Sequence, residues 1–412
     1  SLIAVIVMTP IIAFSVPFIA NTLLHNEALL FTLYISLCTV PFVVFAGLLK
    51  AYLQGLAKIA PTAWAQLLEQ LVRIALIMAL LPVIIQPDNA ALSAAYAMGI
   101  TAIGEVFSLL FLYVYYLRMK KSSTKVIAGK TLVKPIFRLA LPSAGSRLFG
   151  TFTWFLEPIV FLKALTVSGI TAASATTLYG VISGVHIPLL LFPAFIPSAL
   201  AIVLIPAVSD AMARKNLSLL NNRIEISLRL SSLIGCIAAT IFFLHGDELT
   251  MRLFHLDENR GYMQILAPIF YFYYIQSPLH SILQAVDEAR VAMLNSIYGG
   301  VGKLFIMFVL ASQPFLQESG AIIAIGFGVL ITSFLHIASI RQHKQIAIGF
   351  RIFLVPYLIF IFICVLQPYV TNEMPLVESM AITTFLISAL FILTKQIRME
   401  DFRLLRSIFS RL

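Results

Sequence analysis

The sequence predicts an all-α polytopic membrane protein. Three observations lead there. The 412-residue chain is 60% hydrophobic and 11% charged, with mean hydropathy +0.98, whereas a soluble domain is about 45–50% apolar and about 25% charged. Its apolar residues lie in long solid runs, not in the short alternating segments of a transmembrane barrel. Twelve helices of about 20 residues would absorb about 240 residues, close to the chain's apolar content. A soluble globular protein and a disordered chain are both excluded.

The runs fall at residues 2–23, 28–49, 63–85, 92–117, 136–164, 179–207, 227–244, 262–284, 291–311, 320–340, 352–370 and 376–394. Most breaks between them are short, and the longest basic one is 118–134. The first run opens at Ser1-Leu2-Ile3 without a charged leader or cleavage site, so it is not a signal peptide. It reads as a chain whose start is missing. Cys38, Cys236 and Cys364 sit inside apolar runs without metal spacing and read as small core residues.

Lys and Arg favour the cytoplasmic side of short loops. The loops after the odd-numbered runs hold only Arg252 and Arg260, whereas 22 of the 28 basic residues lie on the other side, among them Arg118, Lys120, Lys121, Arg214, Lys215 and Arg341. Residue 1 and the C-terminus are therefore expected in the cytoplasm. The net charge of +10 is a topology signal and a contact for anionic membrane lipids, not a nucleic-acid surface. Residues 396–412, with Arg403, Arg406 and Arg411 among Phe402, Leu405 and Phe409, suit a basic amphipathic tail on the inner leaflet.

An internal repeat runs through the chain. Ser1-Leu2-Ile3 matches Ser232-Leu233-Ile234 at an offset of 231, and Leu53-Gln54 matches Leu283-Gln284 at 230. At that offset Arg73 falls on Lys303, and Ala97-Met98-Gly99 matches Ala324-Ile325-Gly326 at 227. Both copies have the same orientation, as in transporters built from two related halves. Two helices precede the second copy and none precedes the first, so two helices are expected to be absent from the N-terminus.

Ionisable groups inside spans cost about 2.5–3.5 kcal/mol each on insertion scales and are functional candidates by default. Glu69 and Arg73 stand four apart on one helix face and can pair. They read either as a self-neutralised pair or as a phosphate site, with Arg73 offering its planar fork and Glu69 orienting it. Glu105 in the fourth run is a single acid. In the fifth run, Arg147 follows Gly145-Ser146, while Glu157 precedes Pro158. Glu157 reads as a buried acid or as an ion-coupling site, with Glu105 the other coupling candidate. Pro188, Pro193 and Pro197, with Gly180 and Gly184, predict a bent or broken sixth helix, either a static kink or a hinge. Lys303 has Gly299 and Met307 four residues away, so its own helix supplies no acid. Metal spacing, a nucleotide loop and a catalytic triad are all lacking, so no cofactor, no metal and no enzymatic chemistry are expected.

Three stretches carry a resemblance: Leu67-Leu68-Glu69-Gln70-Leu71-Val72-Arg73-Ile74, Leu141-Pro142-Ser143-Ala144-Gly145-Ser146-Arg147 and Trp154-Phe155-Leu156-Glu157-Pro158. Ser277-Pro278-Leu279-His280 is similar as well. Through them the chain resembles the polysaccharide-export branch of the multidrug/oligosaccharidyl-lipid/polysaccharide (MOP) flippase superfamily. The resemblance implies a MATE/MOP-like two-lobe bundle, with 12 helices present of an expected 14. The expected parts are a lobe at 1–117 lacking its first two helices, a basic linker at 118–134, a six-helix lobe at 135–340, an extra pair at 351–395 and the tail at 396–412. It further implies a monomeric flippase for a lipid-linked anionic saccharide, acting in spore cortex or envelope assembly at the cell membrane. Arg73, Arg147 and Lys303 would neutralise the head group. A cation-coupled small-molecule exporter and a non-transporting scaffold for wall synthesis are the alternatives.

Overall fold

The computed structural model describes residues 2–23, 27–56, 58, 60–85, 89–119, 133–256, 260–343, 346, 348–371 and 374–397. Most of the expected basic linker and nearly all of the expected tail lie outside them. Among the described residues there are helices and turns but no strand. The chain divides into two compact units, Ser1–Gly129 and Lys130–Leu412.

The first unit holds α1 (Leu2–Phe18), α2 (Leu30–Gly55), α3 (Ala60–Ile84) and α4 (Ala90–Arg118). α4 begins where the Asn89 side chain accepts the Leu92 N–H at 3.0 Å, meeting one of the four orphan donors of a helix start. α1 packs on α2, while α4 packs on both α2 and α3. The shared core is small, formed by Ala46, Leu53, Ala65 and Leu112. Large apolar side chains such as Phe14, Trp64 and Met78 face outward, which suits a lipid surround.

The second unit opens with α5 (Val133–Val167), which stays helical through Pro142 and Pro158. The sixth run is broken into α6 (Ala172–Val181), a π turn (Ile182–His186), α7 (Ile187–Leu191), a 3-10 turn (Phe192–Ala194) and α8 (Phe195–Ala213). Then follow α9 (Leu217–Phe254), α10 (Tyr262–Ala285), α11 (Ala289–Ala311), α12 (Gln317–Gln342), α13 (Arg351–Thr371) and α14 (Leu376–Leu393). With the broken helix counted once, the described residues form twelve helical segments, one for each apolar run.

α10 is the interior helix of this unit, packed against α8, α9, α11 and α12. Tyr262, Tyr271 and Tyr274 along it are among the largest fully buried side chains. The Tyr271 hydroxyl donates to the Phe353 carbonyl on α13 at 3.0 Å. α13 and α14 rest chiefly on α9. There Ser379 Oγ lies 2.9 Å from His245 Nε2, and Gln367 donates to Ser379 at 2.6 Å.

The two units repeat one packing scheme. In the first, α1–α2, α2–α4 and α3–α4 are in contact, and in the second α9–α10, α10–α12 and α11–α12. The run at 227–244 proves too short: α9 extends over 38 residues. Its charges fall at helical spacing, Glu225 with Arg229 and Glu248 with Arg252, so they pair along the helix and do not end it.

Candidate functional site

The second unit lines an open-sided cavity of about 510 Å³ between α5, the broken sixth helix, α10, α11 and α12. A Cβ on Gly300 of α11 would come within 2.9 Å of Thr153 of α5, and one on Gly299 within 1.8 Å of Thr332 Oγ1 on α12. Neither glycine has room for a side chain, so the three helices meet closely there. One turn further along, α5 presents Glu157 and α11 presents Lys303. They form an ion pair inside the cavity wall, each side chain only 15% exposed.

This geometry revises the reading of both residues. Lys303 lacks an acid on its own helix and takes one from α5, 146 positions away. Glu157 is a largely buried acid, and Lys303 is its partner. The anion-site candidate and the coupling candidate are one pair.

The first unit carries a second charged cluster. Glu69, 8% exposed, lies between Arg73 Nη2 at 2.8 Å and Lys50 Nζ at 3.8 Å. Arg73 also reaches Gln70 Oε1 at 3.5 Å. Glu105 of α4 lies close enough for its charge to be felt by Glu69, Lys50 and Arg73. Among the described residues, Glu105 Oε2 and Arg73 Nε are buried without a hydrogen-bond partner. Lys50 was hidden in the sequence among basic residues at helix ends. Arg147 is helical, but its side chain falls outside the described part of the structure.

The prolines break the sixth helix as expected. Pro193 has no N–H to offer the Leu189 carbonyl, which instead takes the Phe192 N–H in a tighter turn. The Leu190 carbonyl is met from α10 by the Tyr274 hydroxyl at 2.6 Å. Pro188 sits in the first turn of α7 and Pro197 in that of α8, where a missing N–H costs least. His186 bonds to Val181 O at 3.2 Å and stacks edge-on against Tyr262, a packing role.

Beyond the ion pair, the cavity has a neutral polar end that the sequence reading missed. His336 of α12 is fully buried, and Asn295 Nδ2 approaches its Nδ1 at 3.2 Å. His280 stacks against His336 at 5.4 Å between ring centroids. The only sequence hint was His280 in the Ser277-Pro278-Leu279-His280 stretch. Among the described residues no group of three metal-ligating side chains is assembled.

The fold is that of a multi-pass helical membrane protein. The chain belongs to the family described as polysaccharide biosynthesis protein, whose pattern it matches over residues 1–212. It is 34% identical over 352 residues to stage V sporulation protein B of Bacillus subtilis (strain 168), a match covering 84% of this chain and 68% of the relative. The fold is similar to "Lipid II flippase MurJ, inward closed conformation", at TM-score 0.68 and 11% identity, covering 94% of this chain and 81% of that one. It is also similar to an inward-facing multidrug resistance MATE family transporter, at TM-score 0.64 and 15% identity, covering 83% and 81%.

Proposed function

We propose that the protein flips a lipid-linked anionic saccharide across the cytoplasmic membrane by alternating access, in the building of spore or cell-envelope polysaccharide. The observation that carries the reading is the Glu157–Lys303 pair in the wall of an open-sided cavity. A buried pair is costly to open unless each member finds another partner. An anionic head group supplies one for Lys303, and a proton or cation supplies one for Glu157. Glu69 with Arg73 and Lys50 allows the same exchange in the first unit, with Glu105 as a second proton or cation acceptor. Arg147 would add a further positive charge. Pro188, Pro193 and Pro197 would let the sixth helix flex as the lobes rock. Both termini face the cytoplasm, from the distribution of Lys and Arg. The sporulation name of one relative and the lipid II title of one fold neighbour agree with this substrate class.

The test is the double variant Arg73→Gln/Lys303→Met in the full-length protein. It should insert into the membrane and lose both transport of a lipid-linked saccharide and completion of sporulation. A double variant that still completes sporulation overturns the reading.

A cation-coupled exporter of small organic molecules is the second reading, favoured by Glu105 Oε2, which is buried and has no hydrogen-bond partner among the described residues. Drug efflux in a sensitive host, abolished by Glu105→Gln, would support it. A scaffold for wall synthesis calls for charges paired across helices, which Glu157–Lys303 provides, and for no cavity, which the structure contradicts.

A further inference from the structure

The geometry points to a sugar-binding subsite in the second unit's cavity, with His336 as a hydrogen-bond donor to a ring hydroxyl or carbonyl. It rests on the flippase reading and names which part of the substrate this cavity takes.

The tautomer of His336 follows from its neighbours. Ser339 Oγ donates its proton to Leu335 O at 2.8 Å. It therefore accepts from Asn295 Nδ2 at 2.9 Å, which fixes the Asn295 amide orientation. The second proton of that amide points to His336 Nδ1 at 3.2 Å. Nδ1 is thus the acceptor, and the neutral ring carries its proton on Nε2. Among the described residues Nε2 is buried and has no partner. An unmet buried donor is unfavourable, and with His336 closed to water in this conformation a ring oxygen would meet Nε2 as the wall opens.

The rest of the wall suits the same ligand. Asn295 and His336 lie two turns of α11 away from the Lys303 end, since eight residues rise about 12 Å. Between them the wall offers Gln276, Ser277, Ser281 and Thr332, which are neutral hydrogen-bonding groups. Trp154, Tyr179 and Tyr273 supply aromatic surface, and the pair Glu157–Lys303 leaves no net charge. A volume of about 510 Å³ lies within the range of small-molecule sites. Rings for stacking and neutral donors and acceptors for hydroxyls are what a pyranose needs. An alkyl tail would leave these polar groups unmet.

The chain has two tryptophans, Trp64 and Trp154, and Trp154 lines the cavity. Full-length protein in nanodiscs with Trp154 kept as its sole tryptophan, Trp64 and any outside these 412 residues changed to Phe, therefore reports on the site through Trp154 emission. Titration with N-acetylglucosamine, lipid II and undecaprenyl pyrophosphate separates free sugar, lipid-linked sugar and sugarless lipid. A saturable change with lipid II, absent with undecaprenyl pyrophosphate, is expected. His336→Leu should weaken it at least tenfold, and His336→Gln, which keeps a donor, should restore most of it. A change with N-acetylglucosamine as well shows that the ring alone suffices. In a cysteine-free background, Ser296→Cys should be shielded from a maleimide by the same ligands, a check that does not depend on His336 variants folding. Equal responses to lipid II and the sugarless lipid, or none to any sugar-bearing ligand, overturn the subsite. Transport that survives such a result leaves the flippase reading standing, whereas sugar binding without transport overturns the flippase reading alone.

Discussion

Gly328 of α12 faces Lys303 of α11, and a Cβ on Gly328 would stand 2.8 Å from the Lys303 Cβ. The first unit repeats the arrangement: a Cβ on Gly104 of α4 would meet Glu69 O at 3.2 Å and the Arg73 Cβ at 3.9 Å on α3. In both units a glycine on the last helix of the repeat lets the helix bearing the central cation come close. Gly104 and Gly328 are 224 residues apart, one helical turn short of the 227 offset between Gly99 and Gly326. The contacts thus define an equivalence one turn from the one the sequence match defines.

This crossing leaves little slack. Gly299→Ala would drive a methyl group into Thr332 Oγ1, and overpacking of this kind costs about 1–3 kcal/mol. Thermal unfolding in detergent should show a clear fall in Tm. Adding Thr332→Ala should recover part of it, and no recovery would place the strain elsewhere.

Glu157 and Lys303 should behave as one unit. Lys303→Met leaves a buried carboxylate alone, and breaking a buried pair costs about 3–5 kcal/mol. Glu157→Gln/Lys303→Met should be more stable than Lys303→Met, yet inactive in transport. A double variant no more stable than the single would show that the pair contributes nothing to folding.

The Tyr274 hydroxyl meets the Leu190 carbonyl at the break in the sixth helix. Tyr274→Phe strands a buried acceptor, at about 1–3 kcal/mol. Pro193→Ala returns an N–H that can bond Leu189 and should straighten the segment. Spin-label distances from α6 to α8 should lengthen in Pro193→Ala, with slower transport. Unchanged distances would show that packing, not proline, sets the bend.

At Arg73, charge and shape separate. Arg73→Lys keeps the pair with Glu69 but not a two-pronged grip on phosphate. It should insert and fold like the parent protein while transport falls at least tenfold. Full transport in Arg73→Lys would reduce Arg73 to a structural partner of Glu69.

Twelve spans were legible because lipid demands long apolar runs: 262–284 became Tyr262–Ala285 and 291–311 became Ala289–Ala311. Helix ends were read poorly where charges pair at helical spacing, as along α9. The Glu69–Arg73 pair was visible because four residues separate the two. The Glu157–Lys303 pair was not, because it depends on the crossing of α5 and α11 at Thr153 and Gly300. The Asn295–His336 bond spans α11 and α12 in the same way, and neither residue stands out in its own run.

Nine of the helices formed by described residues are long and apolar enough to cross a bilayer by themselves, and α10 is not one of them. Its Gln264, Gln276, Ser277, His280 and Gln284 make solitary partitioning from the insertion machinery unfavourable. During biosynthesis α10 must therefore wait beside that machinery until later helices arrive to shield it. The interior helix of this unit is then the last of its neighbourhood to leave water, which ties completion of the cavity to translation of α11 and α12.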